Sequence, residues 1–309
     1  MANYMAVDVG GTNVKYSLMT DQAEILEKGE FPTPYDEGLQ GLVDGLKKVY
    51  DSYADRNIEA LVMSAPGKID ATKGYFYTSG ALHYIDGINL GDVLKDVIPV
   101  PFAVENDAKA AALAEIWKGS LQGIKDAFVM VLGTGIGGAV VIDGKLYRGH
   151  TFAAGEFSGI PMNLYAFPME FGNAWAVTNG VGRLVDRYAR LSNQDPEKLN
   201  GRILFDAANH GDEYALQAID DYTKTIASGI MGLQFTLDVQ RVAVGGGISK
   251  QPLLMDYIRK NLTLYYSAAQ QAMALPATAP EVVPCTFGND ANMIGALYHY
   301  LYELKGAAK

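Results

Sequence analysis

A chain of 309 residues has room for two domains, since single cores stop growing at roughly 250–300 residues, and 49% hydrophobic with 19% charged residues excludes disorder and fibrous folds. The formal charge of -10, with no Lys/Arg cluster to offset it, argues against nucleic acid or an anionic membrane as partner. A single cysteine, Cys285, and four scattered histidines (His83, His150, His210, His299) exclude an intrachain disulfide and a thiolate-rich zinc site, and point to a reducing cytoplasm.

No apolar stretch approaches the ~20 residues that span a bilayer, and the start of the chain lacks the basic segment and apolar core of a cleavable leader. Tyr4 to Val9, Val14 to Met19 and Ile25 to Phe31 read as three strands, the first two joined by Gly10-Gly11-Thr12-Asn13. Leu39, Leu42, Val43, Leu46, Val49, Tyr50 and Tyr53 fall at helical spacing. Ala60 to Ser64 is a short buried strand ending at Ala65-Pro66-Gly67, and a loop-rich stretch with Gly74, Gly80 and Gly87 follows.

Phe102 to Val104 returns as a strand, and Asn106 or Asp107 caps an alanine-rich helix running to Trp117. After Gly119 the opening pattern is heard again: strand Phe128 to Leu132, a glycine turn, strand Ala139 to Ile142, then Asp143-Gly144 and Lys145 to Tyr147, as an internal duplication would produce. Two helices are expected after Asn179-Gly180, the second with the apolar face Ala215, Ala218, Ile219, Tyr222, Ile226, Ile230 and Leu233. Arg241 to Val244 is a strand that runs into Gly245-Gly246-Gly247, ahead of a helix. A last helix carries Met293, Ile294, Leu297, Leu301 and Leu304. With no low-complexity linker, the expected division is residues 1–118 with the C-terminal helix of about 290–305 as a small α/β domain, and 119–289 as a large one. A hinge is expected near 115–122.

Two strands joined by a tight Gly-Thr turn aim backbone N–H groups and a hydroxyl at one point, which suits a phosphate. The chain has two such turns, Asp8-Val9-Gly10-Gly11-Thr12-Asn13-Val14-Lys15 and Leu132-Gly133-Thr134-Gly135-Ile136-Gly137-Gly138-Ala139, separated by Glu105-Asn106-Asp107-Ala108. Either alone reads as a hairpin. Four glycines within the six residues 133–138, however, leave little side chain to pack. Together the turns suggest a chain that holds a nucleotide across a cleft and moves its phosphate. A dinucleotide-binding oxidoreductase is disfavoured, because no Gly-x-Gly-x-x-Gly opens a helix with an acidic residue at the required distance.

These motifs, followed by Val244-Gly245-Gly246-Gly247, come in the order used by sugar kinases of the actin-like ATPase superfamily. More narrowly, the chain resembles the ROK family of bacterial sugar kinases, with recognisable motifs from Asp8 to about Gly295. The resemblance implies an α/β fold of two ribonuclease H-like, actin-like ATPase domains with a cleft between them. It also implies ATP and Mg²⁺ as cofactors, a small-molecule sugar as substrate, and a homodimer.

Asp107 is the leading candidate for catalysis. Moving a γ-phosphoryl group to a sugar hydroxyl needs a carboxylate beside that hydroxyl to orient it and take its proton, and a helix N-terminus keeps such a carboxylate ionised. Local sequence alone favours an ordinary N-cap aspartate at 107, and the flanking Glu105-Asn106 with the two phosphate turns reverses that preference. In the resembling family the matching aspartate is the catalytic base and the preceding asparagine, here Asn106, contacts sugar. Gly67 and Glu156, the latter in Ala154-Gly155-Glu156-Phe157, complete the substrate-binding set, with an exposed loop glutamate as the other reading of Glu156. Gly10, Gly11, Thr12, Gly133, Thr134, Gly135 and Gly137 are assigned to phosphates, and Gly245, Gly246 and Gly247 to a closely approaching adenosine. A carboxylate at the end of a buried strand is costly unless it faces water or a cation, and the resemblance implies that Asp8 is the partner of hydrated Mg²⁺. Lys15 either sits near the phosphates or is a solvated strand-edge lysine.

The pattern breaks in one place. Family members with a zinc motif continue with Gly-His after the glutamate region and then a Cys-rich loop. Here Ser158-Gly159 stands at that place, and Phe171-Gly172-Asn173-Ala174-Trp175 has no cysteine. The loop must then be held by apolar packing, with Tyr165, Phe167, Phe171 and Trp175 as the candidates. A small residue at 159 leaves room near one end of the sugar, for an anomeric substituent as in β-glucoside kinases or for an N-acetyl group. Two other functions remain in view. One is a sugar-responsive regulator, disfavoured because only seven residues precede Asp8 and no DNA-binding helix-turn-helix fits there. The other is an actin-like ATPase that needs no sugar, disfavoured by Glu105-Asn106-Asp107 together with Gly155-Glu156.

Overall fold

Two mixed five-stranded sheets, each with its own hydrophobic core, organise the computed structural model, which describes residues 2–163, 165–166, 170–274 and 278–306. The chain divides into two units. Unit 1 is Met1–Gly119, Gly149–Ala153 and Asn289–Lys309, and unit 2 is Ser120–Arg148 and Ala154–Gly288.

In unit 1, β1 (Asn3–Val9) pairs antiparallel with β2 (Asn13–Thr20), and β2 with β3 (Ile25–Pro32). Tyr4, Met5, Ala6, Val7 and Val9 are all buried, so β1 is covered on both faces and shows no polar alternation. Helix α1 (Gly38–Ser52) contributes Leu42, Val43, Leu46 and Val49 to the core that Met5, Val7 and Val9 enter from the sheet. Strand β4 (Ile58–Ala65) joins β1 in parallel, followed by the small hairpin of β5 (Ile69–Asp70) and β6 (Tyr75–Phe76) and by the short α2 (Leu90–Leu94). Strand β7 (Phe102–Asn106) then pairs in parallel with β4 and leads without a loop into α3 (Asp107–Lys118).

Unit 2 repeats the plan. Strands β8 (Ala127–Leu132), β9 (Ile136–Ile142) and β10 (Lys145–Tyr147) form an antiparallel meander. After α4 (Trp175–Asn179) come three helices where the sequence reading had two: α5 (Val181–Ser192), α6 (Gly201–Asn209) and α7 (Glu213–Leu237). The additional break has a local cause. Asn200 and Asp212 each accept a backbone N–H three residues on, Ile203 N at 3.0 Å and Ala215 N at 2.8 Å, so each starts a new helix. Strand β11 (Arg241–Gly245) pairs in parallel with β8, the long α8 (Pro252–Met273) follows, and β12 (Glu281–Pro284) closes the sheet. Helix α8 is the one expected after the triple glycine, for which the sequence reading set no bounds. It begins five residues after Gly247, with Pro252 at its first turn.

The strand orders β3-β2-β1-β4-β7 and β10-β9-β8-β11-β12 are the same path traced twice, which is the duplication heard in the sequence. The chain then returns to unit 1 as α9 (Ala291–Tyr298), which continues as a π-helical turn, His299–Leu304, rather than as regular α-helix. Among the described residues no helix is long and apolar enough to cross a membrane.

Alanines explain how α3 and α9 meet. Ala108, Ala110, Ala111, Ala112 and Ala114 are buried, and the helices approach so closely that a Cβ on Gly295 would collide with the Ala110 carbonyl. That approach fixes the helix whose first residue is Asp107. Gly295→Ala is expected to destabilise unit 1 by roughly 1–3 kcal/mol, the usual cost of overpacking, read as a lower urea midpoint.

Candidate active site

The first glycine turn is held by its carbonyls. Thr33 Oγ1 donates to Gly10 O (2.7 Å), Tyr35 OH to Gly11 O (2.7 Å) and Thr33 N to Thr12 O (3.0 Å). With those oxygens taken, the exposed Gly11 and Thr12 offer N–H and hydroxyl groups to a ligand, the polarity a phosphate needs. Asp8, half-buried at the end of β1, stands directly across the ladder from Lys15. Cross-strand neighbours point to the same face about 5 Å apart, so the lysine belongs to the Asp8 neighbourhood. Ser64 Oγ (2.5 Å) and Asn292 Nδ2 (2.9 Å) both donate to Asp8 Oδ1. Both contacts fall on one oxygen, which leaves Oδ2 as a hard donor suited to a hydrated divalent cation. Neither Ser64 nor Asn292 was singled out in the sequence, because each lies far from Asp8 along the chain and reaches it only through β4 and α9.

The β7–α3 junction carries the second group. Asn106 is the N-cap: its Oδ1 accepts from Lys109 N (3.2 Å), while its Nδ2 donates to Gly67 O (3.0 Å). Of the two residues proposed to cap α3, therefore, Asn106 does so and Asp107 is the first helical residue. Asp107 is half-buried, and its Oδ1 accepts from Ala108 N at 2.7 Å. Gly67 has φ of +105°, and a Cβ there would collide with the Thr78 carbonyl, so only glycine fits. Beneath the junction, Glu105 Oε1 accepts from Asn106 N (2.8 Å). Its carboxylate lies within 4.8 Å of His299 and Glu303, the one cluster of potential metal donors found among the described residues. His299 faces Glu303 through Nδ1 (2.6 Å) and the Ala71 carbonyl through Nε2 (3.1 Å), which ties the π-helical turn to the loop after β5. In the loop after Thr78, the Ser79 hydroxyl and then the His83 ring hold the Asp86 carboxyl below its usual range.

In unit 2 the second glycine turn is fixed from two directions. Val181 N donates to Gly133 O (2.9 Å), and Gly180 lies so near that a Cβ on it would collide with the Thr134 carbonyl. Gly246, with φ of +94°, lies equally close to Leu132 O. The phosphate turn and the triple-glycine turn are thus neighbours at the ends of the paired strands β8 and β11, where Gly245 stands opposite Val131. Gly137 lies in the ladder opposite Val131 rather than in the turn itself. Beside the turn is a cavity of about 440 Å³ lined by Thr134, Gly135, Ala176, Val177, Gly180, Gly182, Arg183 and Asp186. Arg183 is braced there by bonds to Val177 O (3.1 Å) and Asp186 (3.3 Å). The sequence signalled only the Asn179-Gly180 break at this point.

Glu156 is exposed and accepts a hydrogen bond from Ser158 Oγ. Gly159 has open space where a side chain would begin. Trp175 is fully buried, lies 6.5 Å from Phe157 with the rings tilted by 41°, and fits so tightly over α7 that a Cβ on Gly229 would collide with its ring. Trp175 N also donates to Ile160 O (2.9 Å), and Met162 N to Asn173 O (2.9 Å). Tyr165, expected to pack there, is instead 99% exposed. A phenol can leave its hydroxyl in water, and the space over α7 is filled by the indole. Phe167 and the side chain of Phe171 lie outside the described residues.

A family model described as "ROK family" matches residues 4–302. The chain is 31% identical to a glucokinase of Halalkalibacterium halodurans, over 94% of this chain and 93% of that one. It is 29% identical to a beta-glucoside kinase of Listeria monocytogenes, over 96% of this chain and 97% of that one. Among solved structures it is similar to a ROK family protein from Streptococcus pneumoniae TIGR4 in complex with sucrose. That likeness has a TM-score of 0.85 at 28% identity, covering 98% of this chain and 99% of the other.

Trp175→Ala is expected to lower unit 2 stability by about 3–5 kcal/mol, the cost of emptying a large aromatic site, measured by urea denaturation of the purified protein.

Proposed function

Because the chain belongs to the ROK family and is a carbohydrate kinase, we propose that it transfers the γ-phosphoryl group of ATP to the 6-hydroxyl of its sugar, with Asp107 as general base. The substrate is a glucose-like hexose, an N-acetylhexosamine or a β-glucoside. One observation carries the reading. Asn106 caps α3, so the helix does not require the Asp107 carboxylate as its cap. A half-buried carboxylate at a helix start, next to a residue that grips Gly67, fits an acceptor hydroxyl.

In this mechanism Asn106, Gly67 and Glu156 hold the sugar, and Asp107 aligns the hydroxyl. The sugar oxygen forms a bond to the γ-phosphorus as the bond from that phosphorus to the β–γ bridging oxygen breaks. ADP leaves, and the hydroxyl proton passes to Asp107 and then to water. A loose transition state demands positioning more than strong basicity, which an ordinary carboxylate satisfies. The N–H groups of Gly11–Thr12 and Thr134–Gly135 cradle the phosphates, those of Gly10 and Gly133 being spent on Asn13 O and Gly135 O to close the turns, while Gly246 and Gly247 let adenosine approach and Lys15 adds positive charge beside Asp8. Asp8 would hold hydrated Mg²⁺ through Oδ2, which supplies charge neutralisation of the phosphates.

Asp107→Asn and Asp107→Ala are expected to retain sugar binding while turnover falls at least ~10²-fold, the range for a lost positioned base. Turnover near that of the wild type would remove Asp107 from this role. ADP release across a panel of hexoses, N-acetylhexosamines and glucosides tests the reaction class. Stimulation by a sugar is the expected result, and sugar-independent ADP release would replace the kinase with an ATPase.

A further inference from the structure

An aromatic group lies beside Gly67 and has no part in the chemistry above. Tyr77 N donates to Lys68 O (2.9 Å), and Lys68 N to Thr78 Oγ1 (3.2 Å), so Tyr77 stands across from the residue that follows Gly67. The Gly67 carbonyl is the one Asn106 holds. Tyr77 is 46% exposed, yet its ring is gripped by three neighbours. Phe152 is stacked on it with centroids 6.5 Å apart and planes 29° apart, Tyr75 meets it edge-on at 5.1 Å, and the Lys68 ammonium stands 5.0 Å from its centroid.

Phe152 comes from the short segment Gly149–Ala153, which belongs to unit 1 although the chain on either side belongs to unit 2. Its φ is +63°, in the left-handed region that a bulky side chain rarely enters. Strain of that kind persists where surroundings impose it, and it concentrates at ligand clamps. A strained phenylalanine holding an exposed tyrosine flat is poor use of apolar surface for stability alone, since the ring remains in water.

We propose that Tyr77 and Phe152 form a stacking platform for the second pyranose ring of a glycoside substrate. The proposal rests on the sugar-kinase reading and names its substrate class. A pyranose has one apolar C–H face and a rim of hydroxyls. The aromatic pair matches the face, and the Lys68 ammonium, already beside the Tyr77 ring, matches the rim as a donor. Continuity with Gly67 and Asn106 places the platform next to the residues assigned to the phosphorylated ring.

The test compares glucose with cellobiose, a β-linked disaccharide of glucose, as acceptors in an ADP-release assay. Wild type is expected to use both. Tyr77→Ala and Phe152→Leu are expected to lower the ratio of kcat/KM for cellobiose to that for glucose by about 10-fold, with the loss falling on the cellobiose KM. Tyr77→Phe, which keeps the ring, is expected to restore the ratio. The ratio is insensitive to partial misfolding, which depresses both substrates together. An unchanged ratio in Tyr77→Ala, or a wild type that takes glucose and rejects cellobiose, would overturn the platform while leaving the kinase reading intact. Absence of stimulation by every sugar would instead remove the reading beneath it.

Discussion

The side chain of Asn106 is the tie on which the junction of β7 and α3 depends. One amide performs two tasks: its oxygen caps α3 and its nitrogen holds the Gly67 carbonyl. The cap fixes where the helix begins and therefore where Asp107 stands. The bond to Gly67 fixes the loop that follows β4, including the residues opposite Tyr77. A residue with only an acceptor, such as aspartate, would keep the cap and lose the loop. Below this tie, Glu105 holds the Asn106 N–H and lies beside His299 and Glu303, so the last turn of the chain supports the junction from beneath. The close approach of α3 and α9 through Ala110 and Gly295 supplies the remaining rigidity.

Duplication gives each unit the same strand–turn–strand device, but the two turns are secured by different means. Gly10–Thr12 is held by side chain and backbone from the end of β3, through Thr33 and Tyr35. Gly133–Gly135 is held by one backbone bond, Val181 N to Gly133 O, and by steric fit, with Gly180 against Thr134 and Gly246 against Leu132. The difference follows from what packs nearby. In unit 2 two helix starts and β11 converge on the turn, and only glycine permits backbone to lie so near backbone. Each turn spends its first N–H internally, Gly10 N on Asn13 O and Gly133 N on Gly135 O, and leaves Gly11, Thr12 and Thr134 exposed, which is the property that phosphate binding requires.

Past Glu156 a single buried indole, Trp175, fills a notch over Gly229, and two backbone bonds, Trp175 N to Ile160 O and Met162 N to Asn173 O, join the edges beside it. Its ring N–H has no acceptor among the described residues, so shape outweighs hydrogen bonding at this position. Gly159, in the same stretch, has open space where a side chain would begin.

Much of this was legible in the residues alone. The apolar runs of β1, β2, β8 and β9, the glycine turns between them and the alanine-rich α3 were visible because each is set by local pattern: strand propensity, turn chemistry and helix capping act within a few positions. The sequence also marked Asp107, Asp8 and Gly67 as candidates, because their neighbours along the chain carried the signal. It left open whether Asn106 or Asp107 caps the helix, merged α5 and α6, gave no bounds for α8 and enlisted Tyr165 in a core it does not enter. Tertiary structure decided those points, and it also decided the partners of Asp8, the wedge of Trp175 and the pairing of Tyr77 with Phe152. The physical reason is the same throughout. Ser64 and Asn292 lie 56 and 284 residues from Asp8, and a contact across such a span is made by the packing of sheets and helices rather than by any local preference.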